Sequence, residues 1–127
     1  KGNSKKIVHF GRFTRLVDPP KIKANAEALI TLCSAHAPPK PLEGPVIATY
    51  RFQYAWRKQD AKRRAKGKLP ESMPKSTSPD NGNLIKQIDD VMQACGFVGN
   101  DSQIWQHVAC KMFHDKPGVF IRLEETK

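Results

Sequence analysis

The 127-residue chain predicts an α/β (α+β) fold, with one small mixed β-sheet packed on two main helices. Three observations carry that prediction. In residues 46–52, Val46, Ala48, Tyr50 and Phe52 point one way and Ile47, Thr49 and Arg51 the other, the period of a half-buried strand. In residues 83–95, Leu84, Ile85, Ile88, Val91, Met92 and Cys95 form a continuous apolar stripe, and Gly96 is placed to stop the helix. Residues 103–113 and 119–124 read as two closing strands, joined by a turn at Asp115, Lys116, Pro117 and Gly118. The length suits a single domain over residues 1–127.

The remaining elements follow in order. Ile7, Val8, His9 and Phe10 read as a short strand. Pro19 and Pro20 suit the first turn of a helix over about residues 21–35, on which Ile22, Ala26, Leu29, Ile30 and Cys33 recur at helical spacing. Pro38, Pro39 and Pro41 then make a linker within the domain. The run from Trp56 to Lys68 is basic and has no convincing apolar face apart from its alanines. Residues 69–79 carry three prolines with several serines and threonines, and read as a mobile loop.

The formal net charge is +10, which favours nucleic acid or another anionic surface as partner. The charge is clustered: Arg57, Lys58, Lys62, Arg63, Arg64, Lys66 and Lys68 lie in one run, offset by Asp60. These seven are the expected DNA contacts, through phosphates. No apolar run approaches a membrane span and no signal-peptide pattern opens the chain. The three cysteines, Cys33, Cys95 and Cys110, show no pairing pattern, so a reducing, cytoplasmic setting is expected. A zinc site from Cys33, His36, His107, Cys110 and His114 is disfavoured, because residues three apart on a strand point to opposite faces.

One constellation suggests chemistry. Asp80 precedes a helix that carries Lys86 and Asp90, four apart on one face, and Asp101 follows the next short loop. Carboxylates supply hard oxygen ligands for magnesium, and a lysine can oppose charge building on a phosphoryl group. By spacing alone the signal is weak. Asp80 also suits a helix cap, Asp101 a loop acid, and Lys86 with Asp90 a surface pair.

The order Pro79-Asp80, Asn83-Leu84, Lys86, Asp90, Gly96-Phe97 and Asp101-Ser102-Gln103, with Pro41 to Val46 leading into a strand, resembles the RusA family of Holliday junction resolvases. The resemblance spans nearly the whole chain and is strongest over residues 79–103. It implies a magnesium-dependent, homodimeric endodeoxyribonuclease that nicks four-way DNA junctions in pairs during recombination and repair. Manganese would substitute, with no organic cofactor, and the setting would be bacterial, nucleoid-associated or phage- and prophage-encoded. By match, Asp80 and Asp101 fall on catalytic, metal-holding aspartates and Lys86 on the catalytic lysine, with Asp90 as an assisting ligand. The resemblance implies a second aspartate two residues after the first, on an extended segment where the two would share a face, and this chain has Gly82 there. Asp90 or Asn81 could supply the missing ligand, the glycine could be an introduced change, or the protein could be a weakened or inactive junction-binding module. An RNA-binding reading would need Tyr50, Phe52 and Tyr54 exposed on a sheet face.

Overall fold

The strand alternation sets the architecture. The computed structural model describes residues 6–12 and 26–126. In order they form β1 (Lys6–Arg12), α1 (Ala26–Ser34), β2 (Val46–Tyr54), α2 (Lys58–Ala65), β3 (Ser72–Pro74), α3 (Asn81–Ala94), β4 (Ile104–His114) and β5 (Gly118–Glu125). The sheet has strand order β1-β5-β2-β4-β3. Among the described strands the β2–β4 pair is parallel, and β1–β5, β5–β2 and β4–β3 are antiparallel. The crossover from β2 to β4 passes through α2, β3 and α3, as a parallel pair requires.

Register fixes which side chains share a face. Ala48, Tyr50 and Phe52 lie opposite Leu123, Ile121 and Val119 on β5, and opposite His107, Ala109 and Lys111 on β4. Val46, Ala48, Tyr50, Phe52, Val119, Ile121 and Leu123 are buried at 0–1% exposure, so this face is the core. Burial of Tyr50, Phe52 and Tyr54 takes them off any open RNA platform. The stripe on α3 closes the core with Leu84, Ile88, Val91 and Met92, and Leu29 and Cys33 of α1 pack beside it. Truncating Ile88 to alanine would cost about 2–5 kcal/mol by the usual core-cavity penalty. Burial, with help from neighbouring Cys95, pushes the Cys33 thiol up to about 12.

Two expectations are corrected. The stretch 69–79 is not a free loop: β3 pairs with the outer edge of β4, and Pro70 and Pro74 are tolerated at such an edge. The basic run, whose lack of an apolar face left its conformation open, forms a helix, α2, held by polar tethers. The helix expected from residue 83 starts at Asn81, so Gly82 lies in its first turn and not on an extended segment. The first part of the helix expected over 21–35 lies outside the described residues, which resume at Ala26 in α1.

Candidate functional site

Asp80 is the N-cap of α3, with extended backbone, and its carboxylate accepts the amide of Gly82 at 2.8 Å. The bond satisfies one of the helix's orphan amides and sets the carboxylate over the positive end of the helix. The carboxylate is exposed, and its second oxygen has no partner among the described residues. A Cβ at residue 82 would lie 3.4 Å from Asp80 Oδ1, an ordinary contact. The segment before Asp80 is moored by Lys111 of β4, whose ammonium donates to the carbonyls of Thr77 at 2.5 Å and Pro79 at 2.6 Å.

Lys86 and Asp90 are exposed on α3, and no ion pair joins them among the described residues. The acid that turns inward is the neighbouring Asp89. It accepts the buried Tyr50 hydroxyl at 2.6 Å, and its two oxygens lie 3.0 and 2.9 Å from His107 Nε2. Burial foremost, then Asp89 and Asp101, push the Tyr50 hydroxyl well above its ordinary value, so it stays a donor. Asp89 lies four residues after Ile85 and three before Met92, on the shoulder of the apolar stripe; that spacing was the available signal. His107 faces it because its partner on β2 is the small Ala48.

Asp101 opens a short 3-10 turn, Asp101–Gln103, just before β4. Asn100 and Gln103 form a reciprocal capping box there. Gln103 also donates to the carbonyls of Leu42 and Gly44, and the Asp101 amide donates to Gln93 Oε1 at 2.8 Å. The Asp-Ser-Gln motif is therefore a staple between α3, the turn and the approach to β2.

The two acids do not meet within one chain. A helix rises roughly 1.5 Å per residue, which sets the Asp80 cap and Gln93, the anchor of Asp101, about 20 Å apart along α3. A strand rises roughly 3.3 Å per residue, and from Ile104, beside Asp101, to Lys111, beside Asp80, β4 spans about 23 Å. Both rulers put the acids at opposite ends of the α3–β4 layer. Among the described residues no group of three His, Cys, Asp or Glu gathers to hold a metal. Even so, Asp80, Asp90 and Asp101 have no ion-pair partner among the described residues of this strongly basic chain.

The basic run divides in two. Arg57 and Arg63 flank the buried Asp60, with Arg57 Nη2 at 2.8 Å and Arg63 Nη1 at 3.8 Å. Arg64 grips Asp115 with Nε and Nη2, down to 2.7 Å, and Trp56 donates to the same carboxylate at 2.9 Å. Hydrogen bonds from Arg64 and Trp56 hold the Asp115 carboxyl down at about 2. Lys58, Lys62, Lys66 and Lys68 are exposed, without an ion pair among the described residues.

The sequence pattern of the family described as Endodeoxyribonuclease RusA matches residues 2–124. The chain belongs to the RusA family. Membership indicates a Holliday junction endodeoxyribonuclease with DNA as its partner, in a family of bacterial and phage proteins that is generally dependent on divalent metal. A comparison with curated protein sequences finds no match. No helix of the described residues is long and apolar enough to cross a membrane.

Proposed function

We propose that this RusA-family chain is a homodimeric, magnesium-dependent endonuclease that resolves four-way DNA junctions by paired nicks, each active site drawing Asp80 and Lys86 from one copy and Asp101 from the other. The observation that carries the reading is the separation of about 20 Å along α3 between the Asp80 cap and Gln93, which anchors Asp101, in a chain matched to the family over residues 2–124. Two carboxylates from facing copies fit magnesium, which takes one or two protein carboxylates and fills its shell with water and phosphate oxygens. Manganese suits the same donors. When bound, the ion supplies an activated water and steadies the leaving oxygen.

The chain's own residues do the rest. The α3 cap holds the Asp80 carboxylate in a fixed orientation. Lys86, one and a half turns on, opposes charge that develops on the phosphoryl oxygens. Asp90, four residues further, assists from the same helix. Lys58, Lys62, Lys66 and Lys68 hold the DNA arms by phosphate, which gives affinity without sequence preference. Two-fold symmetry suits paired cuts on a two-fold junction, and Trp105 and Val108, 59% and 51% exposed on β4, offer apolar surface for association.

A weakened, binding-only protein is the second reading, and the observation that favours it is Gly82 beside Asp80. A synthetic four-way junction on a denaturing gel, with and without magnesium, separates the two. Symmetric nicks on opposed strands support the nuclease; binding without cutting supports the module.

A further inference from the structure

Outside the acids, Lys75 and Lys111 stand beside Arg57, the first cation of the basic run. Beyond Pro74, the backbone amide of Lys75 donates to the Lys111 carbonyl at 3.1 Å, so the two lysines stand side by side across the β3–β4 ladder. Like charges in such a position repel. Neither lysine has an ion-pair partner among the described residues. Arg57 closes the group: its Cζ lies 5.2 Å from the Phe113 ring centroid, and the Lys75 ammonium lies 5.3 Å from the same centroid.

The platform below is aromatic. Trp56 stacks on Phe113 at 6.0 Å between centroids, and the Lys75 ammonium sits 4.9 Å over the Tyr54 ring. Ring faces hold a cation without neutralising it. Burial, then Lys111 and Arg57, bring the Lys75 ammonium below its ordinary value. A lysine has three N–H donors. Lys75 spends one on Thr77 Oγ1, and Lys111 spends two on the carbonyls of Thr77 and Pro79. Arg57 uses Nε and Nη2 on Asp60, which leaves Nη1. Open donors on three repelling cations thus converge beside one short segment.

We propose that Lys75, Lys111 and Arg57 form a binding site for a backbone phosphodiester of DNA, next to the segment that presents Asp80. An anion there relieves the Lys75–Lys111 repulsion and takes charge-assisted hydrogen bonds. Because Lys111 also grips the Pro79 carbonyl, the bound phosphate and the Asp80 cap share one anchor. The site rests on the nuclease reading for its partner, and it would position the strand one step from the acid.

The test titrates a fluorescent four-way junction and a linear duplex with wild type, Lys75→Gln, Lys75→Arg and Lys111→Gln across a salt series. For Lys75→Gln we expect about tenfold weaker binding of both DNAs, as for loss of a charge-assisted bond, and a fall of about one in the salt slope. Lys75→Arg should keep both. Lys111→Gln should lose binding like Lys75→Gln. Wild-type affinity and slope in both glutamine variants would overturn the site. If duplex and junction bind equally while the glutamine variants still lose slope, the site stands and the junction reading fails. Failure of the wild type to bind either DNA overturns both.

Discussion

The amide of Gly82 donates to Asp80 Oδ1 at 2.8 Å, and a Cβ at residue 82 would rest 3.4 Å from that same oxygen. Residue 82, where the family resemblance implies an aspartate, therefore sits next to Asp80 through the geometry of a helix cap. Gly82 is not among the glycines with positive φ, so a side chain meets no backbone strain. Gly82→Asp should place a second carboxylate beside Asp80 and lower the magnesium concentration needed for half-maximal nicking. Gly82→Ala should leave that requirement unchanged and stabilise the fold by about 0.5–1 kcal/mol through helix propensity. Metal titrations of nicking, paired with urea melts, distinguish the two variants.

The cap also separates structure from chemistry at Asp80 itself. Asparagine caps as well as aspartate, whereas alanine costs about 1 kcal/mol. Asp80→Asn should melt with wild type yet lose nicking, and junction binding should hold or tighten with one fewer negative charge facing phosphate. Asp80→Ala should lose both nicking and stability. Nicking by Asp80→Asn at the wild-type rate would remove Asp80 from the chemistry.

The two halves of the basic run should respond differently. Lys58→Gln with Lys62→Gln should lower the salt slope of junction binding by about two, with stability unchanged. Arg64→Ala breaks the grip on Asp115 that seats α2 against the β4–β5 turn, so it should appear first as earlier loss of α2 in hydrogen exchange. Equal salt slopes in the lysine double variant and wild type would make those lysines a solvated surface.

Asp115 predicts a pH response. Its folded-state value lies below the ordinary 3.8, so the tether to Arg64 and Trp56 contributes in full above that pH and is lost as pH falls through about 2. In a Trp105→Phe background, Trp56 fluorescence should hold from neutral pH to below pH 4 and shift near pH 2. Asp115→Asn should show the shifted signal already at neutral pH.

The buried Tyr50 and the half-buried Asp89 form a pair whose loss is asymmetric. Asp89→Ala orphans the Tyr50 hydroxyl at 0% exposure and should cost about 1–3 kcal/mol. Tyr50→Phe should cost less, and the double variant should fall short of the sum. Urea denaturation of the four proteins gives the coupling.

Period and spacing made the core legible. The alternation of Val46, Ala48, Tyr50 and Phe52 and the stripe from Leu84 to Met92 are both set by burial, which writes itself into apolar position. Polar tethers leave no such period. α2 is seated by Arg64 on Asp115, fifty-one residues apart, and no local pattern announces that pairing. β3 is three residues ending in proline, too short for alternation. At the site, the capping aptitude of Asp80 was readable from its residue type, while the inward turn of Asp89 in place of Asp90 needed the helix phase fixed by Ile88. The distance from Asp80 to Asp101 depends on α3 running back along β4, a tertiary fact that spacing in sequence hid.

The most direct test mixes two inactive proteins. Asp80→Asn and Asp101→Asn are purified separately, combined under conditions that exchange subunits, and given a four-way junction with magnesium beside wild type and each variant alone. A site shared between copies predicts that wild type nicks both opposed strands, neither variant cuts alone, and the mixture recovers nicking of one strand per junction, because each mixed dimer holds one intact Asp80–Asp101 site. Wild type that binds the junction and cuts nothing, or wild type that cuts while the mixture stays as dead as its parts, would contradict the account.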